Sequence, residues 1–185
     1  MMSSTETDAV LTVAGLMALS ARTAPKGKGV DAIAVRTVAG DDLAALSGAM
    51  REFGETNNQA FFIRDAKNVA DSDACLLIGS AIESVAGIDC GGCGFPTCAA
   101  MLEAQAETRS RSTPLHGHNC IIRMADLGIA VGSAAKTAAM HNVDNRIMYT
   151  AGVGALRLGW MEGCGVVYGI PLSASGKNIF FDRTR

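Results

Sequence analysis

Three cysteines crowd the stretch GIDCGGCGFPTC, Gly87 to Cys98, at the spacing Cys90-x2-Cys93-x4-Cys98. Thiolates are soft ligands that suit iron–sulfur clusters and zinc. A four-iron cluster takes four of them, at the corners of a cube. One more sulfur must therefore come from Cys75, Cys120 or Cys164. Cys75 lies in the apolar run ACLLIGSAI, the usual home of an inert buried thiol. Cys164 stands at a strand start, far along the chain. Cys120 closes the polar loop STPLHGHNC just ahead of a helix, and it is the fourth ligand expected. The set reads Cys90-x2-Cys93-x4-Cys98-x21-Cys120.

The residues between the cysteines suit the same chemistry. Gly91, Gly92 and Gly94 can take positive φ at little steric cost and turn backbone N–H groups toward cluster sulfurs. Pro96 is expected to open a helix, PTCAAMLEAQAE, with Cys98 in its first turn. The positive end of that helix favours a thiolate. Zinc is the alternative, although structural zinc sites more often show two x2 pairs where this chain has one. A Rieske-type site needs two histidines and two cysteines. Three clustered cysteines argue against it, so His116 and His118 are expected to be solvated loop residues or donors to the ligands. His141 is expected at the surface of a helix end.

The elements that must hold this site can be read from periodicity. Thr5-x-x-Asp8 has the form of a capping box, and the helix after it should bury Val10, Val13, Met17 and Ala21. RTAPKGKG, Arg22 to Gly29, breaks it. A strand is expected over Asp31–Val38. Asp41 should cap a helix with Leu43, Leu46, Met50 and Phe53 on one stripe, ended by Gly54. A weaker helix runs from about Asn58 to Val69, and a buried strand from Ala74 to Ile82. After the cysteines come a small-residue helix, ADLGIAVGSAAKTAAMHN, and a second helix, Tyr149–Trp160, weakened by glycines. Cys164–Ser173 is a strand ended by Pro171, with an extended tail. The class is α+β, with α/β as the alternative. The whole chain, 1–185, is one domain, with residues 83–125 as an inserted cluster segment.

Composition narrows the function classes. Of 185 residues, 49% are hydrophobic and 18% charged, with a net charge of -2. A chain this apolar suggests a buried subunit face and hence a homodimer. The charge balance does not suit nucleic acid or an acidic membrane surface. No apolar run is long enough for a membrane span, and Ala9–Ala21 follows Glu6 and Asp8 rather than the positive start of a signal peptide. The reading is a cytoplasmic protein with reduced thiols. GSAAKTAA, Gly132 to Ala139, lacks the second glycine of a phosphate loop. No Ser-His-Asp set and no paired carboxylates stand out, and the nine methionines are read as core fill.

Residues Asp89 to Cys98 resemble the four-iron domain of corrinoid iron–sulfur proteins and of the cluster-bearing subunit of the Rnf electron-transport complex. That domain's fourth cysteine usually follows by a somewhat shorter gap. Nearly the whole chain resembles the ferredoxin domain-containing proteins of anaerobic bacteria and archaea, through SARTAPKGKGVD, CGGCGFPTC, DLGIAVGSA, DNRIMYT and GIPLSASGKNIFFDR. That resemblance implies a [4Fe-4S] cluster and electron transfer. The helix, the TAP turn and the closing LGW…VVYGIP are similar to the nitroreductase family, which implies nitroreductase-like helices around a small sheet. It also raises an alternative function: an oxidoreductase in which the cluster feeds a bound FMN, with Arg22, Lys26, Lys28, Lys177 or Arg183 on its phosphate. The arginine-rich start and the Gln-Pro-Trp segment of that family are absent. The leading expectation is a low-potential electron carrier that serves another redox protein. Arg109 and Arg111 would offset the negative charge of its site. A zinc-stapled structural domain is the remaining alternative.

Overall fold

The computed structural model of the protein describes residues 5–108 and 113–181. Arg109, Arg111 and Arg183, named above as charges near a site, lie outside the described residues. Helix α1 spans Thr5–Thr23 and strand β1 Ile33–Ala39. Helices α2 (Asp41–Thr56) and α3 (Ala60–Ala70) lead to β2 (Ala74–Ala81). Helix α4 (Cys98–Thr108) precedes α5 (Ile121–Met140), followed by the short β3 (Asp144–Asn145), α6 (Tyr149–Arg157) and β4 (Cys164–Ser173). The strands form one antiparallel sheet in the order β1-β2-β4-β3. The α+β class is as expected, and no described helix is long and apolar enough to cross a membrane.

Alternation along the strands divides the apolar residues between two cores. Ala74, Leu76 and Ile78 of β2 face α1 and α5, where Val10, Met17, Leu127, Ala130 and Ala134 meet them. Cys75 and Leu77 face the other way, toward Leu46 and Met50 of α2, Ala66 of α3 and Ala151 of α6. The molecule is thus three layers, with helices on both faces of the sheet. Every residue from Ala74 to Ser80 is buried, which explains why that run carries no polar alternation.

Several boundaries differ from the expectation, for physical reasons. Gly40, at φ 59, holds the position before α2, and Asp41 is already its first residue. Gly54 does not end α2. It lies where α3 crosses, and a Cβ there would come within 2.8 Å of the Phe62 Cβ. Pro171 lies within β4, paired with Cys75, rather than at its end. Beyond β4 the chain bends and turns instead of extending, and Phe180 is buried in the α2/α6 core.

Helix α6 shows what its glycines are for. Its backbone lies on β4, so that a Cβ at Gly152 would come 1.7 Å from the Val167 carbonyl oxygen. On the strand side, Gly169 faces the Ala151 methyl, 2.5 Å from where its own Cβ would be.

Candidate metal centre

The chain between β2 and α5 folds against the N-terminal ends of two helices. In its turn, the Gly94 N–H donates to the Gly91 carbonyl at 3.0 Å, with φ of 69° at Gly91 and 87° at Gly94. These are left-handed conformations that only glycine adopts freely. Gly92 is needed for a different reason. A Cβ there would meet Ile121 Cγ2 at 2.8 Å, so the bare backbone lets the turn close on the start of α5.

Helix α4 then begins at Cys98, in place of Pro96. The Ala100 N–H donates to the Thr97 hydroxyl at 3.1 Å, a capping contact. The Cys98 N–H donates to Asp89 Oδ1 at 2.7 Å. Cys98 therefore falls in the first turn, as its spacing from Pro96 predicts. Helix α5 starts four residues before the Ala125 opening expected, with Cys120 as the residue that precedes its first turn.

Cys90, Cys93, Cys98 and Cys120 all line one small hollow, with Ile88 and Ile121 among its other walls. The thiols are graded in burial: Cys90 is exposed, Cys93 and Cys98 are intermediate, and Cys120 is buried. Ala86, Met101 and Cys120 form a small apolar cluster beneath the hollow, separate from the two large cores, with Phe95 and Ile122 packed on it. Among the described residues, no three His, Cys, Asp or Glu side chains converge on a single-ion site.

Cys75 and Cys164 lie elsewhere, both in the α2/α6 core. Burial pushes the Cys75 thiol up to about 12 and raises that of Cys164, which disfavours the thiolate that metals bind. A bulge places Cys164. The β2–β4 register shifts between Ser80 and Ala81, so Cys164 and Val166 lie in opposite cores despite their even spacing.

His118 packs its ring edge-on against Phe95, with centroids 4.9 Å apart, and Phe95 lines the thiol hollow. The Gln105 amide donates to the His118 carbonyl, which ties α4 to the loop before Cys120. The His116 N–H donates to the Gly165 carbonyl at 3.0 Å. His141 stands at the exposed end of α5, as expected.

The basic residues do not gather at one place. Arg22 bonds Asp31 at 2.5 Å and the Ile33 carbonyl at 2.6 Å. Lys26 is largely buried and caps the end of α1, donating to the carbonyls of Ala21, Arg22 and Ala24. Lys28 is exposed, at φ 59. Lys177 follows Ala174, whose N–H donates to Asp73, and Asp73 in turn accepts from Thr7 at the opposite end of α1. A helix of that length measures about 28 Å, so one chain does not bring Lys177 to Lys28.

One residue that matters here gave no signal in the sequence. Arg123 of α5 is buried with Asp126, and together they fasten the Gly27–Val30 loop and Val85 to the helix. A lone arginine inside an apolar helix reads as a surface charge until its partners, up to 96 residues away, are in view.

Residues 86–111 match an Fe-S cluster family. Residues 116–183 match a family described as an uncharacterized protein containing a ferredoxin domain. In three dimensions the chain is similar to a nitroreductase with bound FMN from Desulfitobacterium hafniense: TM-score 0.55, 14% identity, covering 96% of this chain and 81% of that one. It is likewise similar to the nitroreductase CinD of Lactococcus lactis, solved with nicotinic acid: TM-score 0.55, 10% identity, 95% and 81% covered. Nitroreductase A of Vibrio parahaemolyticus gives 0.53 at 12% identity over 90% of this chain, which spans only 59% of that enzyme's length. At such identities the likeness concerns the fold, which is nitroreductase-like. A protein of Archaeoglobus fulgidus, described as uncharacterized, is 44% identical over 168 residues, 91% of this chain and 88% of the relative. On that identity and coverage, the chain belongs to the family of proteins containing a ferredoxin domain.

Proposed function

We propose that this protein is a one-electron carrier with a single low-potential [4Fe-4S] cluster held by Cys90, Cys93, Cys98 and Cys120, and that residues 83–125 act as its cluster-bearing insertion. The observation that carries the reading is the shared hollow: four thiols line it, and two helix N-termini open onto it. The donor set fits the group. Four cysteines and no histidine line the hollow, and an all-thiolate set with one x2 pair and an x4 step suits an iron–sulfur cluster better than the two x2 pairs usual for structural zinc. When bound, such a cluster supplies one-electron transfer. The chain's own part is to present thiolates at the positive ends of α4 and α5 and to leave Cys90 at the surface, where a redox partner can approach. Four thiolates around a dipositive core leave a net dianion, which opposes addition of an electron and holds the potential down.

A second reading is favoured by one observation, the nitroreductase-like fold. In it the cluster feeds an FMN, with the exposed Lys28 near the phosphate, and the protein is an oxidoreductase. Protein purified without oxygen separates the readings. About four irons and matching sulfide per chain, with a broad charge-transfer shoulder and no flavin bands, is the result expected. FMN released by heating would support the second reading instead. A colourless protein with one zinc per chain would defeat both.

We further propose that the protein is a cytoplasmic homodimer from an anaerobic setting. Reduced compartments keep all six thiols free, as they are here. The outer surface of the α1/α5 layer exposes Leu11, Leu16, Leu19, Ile129 and Met140, and α1 carries no charge between Asp8 and Arg22. Light scattering is expected to give twice the mass of one chain, and Leu16→Lys with Ile129→Lys to give monomer. A wild-type monomer would remove the idea.

A further inference from the structure

Arg123 is 2% exposed and heads the fully buried side chains of the protein. It stands one turn beyond Cys120 on α5. Its Nη1 donates to Asp126 Oδ2 at 2.8 Å, to the Gly27 carbonyl at 3.1 Å and to the Val30 carbonyl at 3.3 Å. Its Nη2 donates to the Val85 carbonyl at 3.3 Å. Ala86, the next residue, lines the thiol hollow with Cys120. Asp126 answers by accepting from the Gly27 N–H at 2.7 Å. The Arg123 Nε has no partner among the described residues, so the guanidinium is not saturated by its neighbours.

We propose that Arg123 is a positioning residue that holds the Val85–Ala86 wall of the thiol hollow and, balanced by Asp126, sets the electrostatic potential there. This rests on the cluster reading above. Two physical facts support it. The planar guanidinium bonds three carbonyls from two separate segments at once, which an ammonium on a single stem does not reproduce. A buried charge is little screened by salt, so a cation behind an anionic redox site favours the reduced form, and the carboxylate beside it opposes that effect.

The test uses the full chain, loaded anaerobically, with iron and sulfide counted and the midpoint potential read by paramagnetic resonance. Arg123→Gln is expected to lower the midpoint, Asp126→Asn to raise it, and the double variant to return it near the wild-type value. A merely structural role would not give shifts of opposite sign. Midpoints that stay put in both single variants, or move the same way, overturn the proposal. Should Arg123→Gln fail to fold, Asp126→Asn decides alone, and no rise counts against it. Arg123→Lys keeps the charge, so it should hold the midpoint while amide exchange across residues 83–88 quickens in the iron-free chain. Unchanged exchange overturns the positioning role. A wild-type chain that takes up no iron would instead defeat the cluster reading, and that failure is visible in the metal count.

Discussion

Cys98→Ser and Cys120→Ser are each expected to cut iron from about four per chain to less than one after anaerobic loading, while Cys75→Ser and Cys164→Ser keep it. The contrast follows from position. Cys98 and Cys120 line the hollow at the openings of α4 and α5. Serine oxygen is a harder donor than thiolate and suits such a cluster poorly. Cys75 and Cys164 lie inside the α2/α6 core with raised pKa values, so removing them costs packing and no ligand. Metal analysis with circular dichroism distinguishes loss of iron from loss of fold. Full iron in the Cys120 variant would sink the choice of fourth ligand, and depleted iron in a folded Cys164 variant would point to its replacement.

Gly152→Ala is expected to destabilise the chain by about 3 kcal/mol or more, the upper end for overpacking, which lowers Tm by roughly 6–12 °C for a chain of this size. The added methyl has nowhere to go. Its position lies 1.7 Å from the Val167 carbonyl oxygen and 2.3 Å from the carbonyl carbon, both backbone atoms of a strand buried on both faces. Helix α6 must lift off β4, and the Ala151–Gly169 contact opens with it. Gly15→Ala is the control: nothing lies within 4 Å of a Cβ there, and alanine favours a helix. Thermal melts of the iron-free protein measure both. An unchanged Tm at Gly152 would mean that α6 does not pack this closely.

What the sequence reveals, and what it hides, follows from how far apart the partners lie. The stripe Val10, Val13, Met17, Ala21 announces α1 because its period is local, and the buried face is the one expected. The glycines of Tyr149–Arg157 read as a weakness because their partners are distant along the chain: Gly152 meets Val167 of β4, and Gly154 meets Leu46 and Met50 of α2. In space they are a requirement. Pro171 reads as a stop, yet β4 continues through it. The order β1-β2-β4-β3 has no signature along the chain. At the site, the x2 and x4 spacing and the helix after Pro96 bring three cysteines together by local geometry. Cys120 joins them only because Gly92 lets the turn rest on Ile121. The link from Arg123 to Gly27, Val30 and Val85 spans 38 to 96 residues, and no pattern in α5 foretells it.

The apolar cluster of Ala86, Met101 and Cys120 shares no residue with either large core. On the cluster reading, a chain stripped of iron is expected to keep the three-layer frame and slacken beside the cysteines. Loading the proposed cluster would then fill a scaffold that is already built, and its loss at the exposed Cys90 edge would call for refilling a socket rather than remaking a protein.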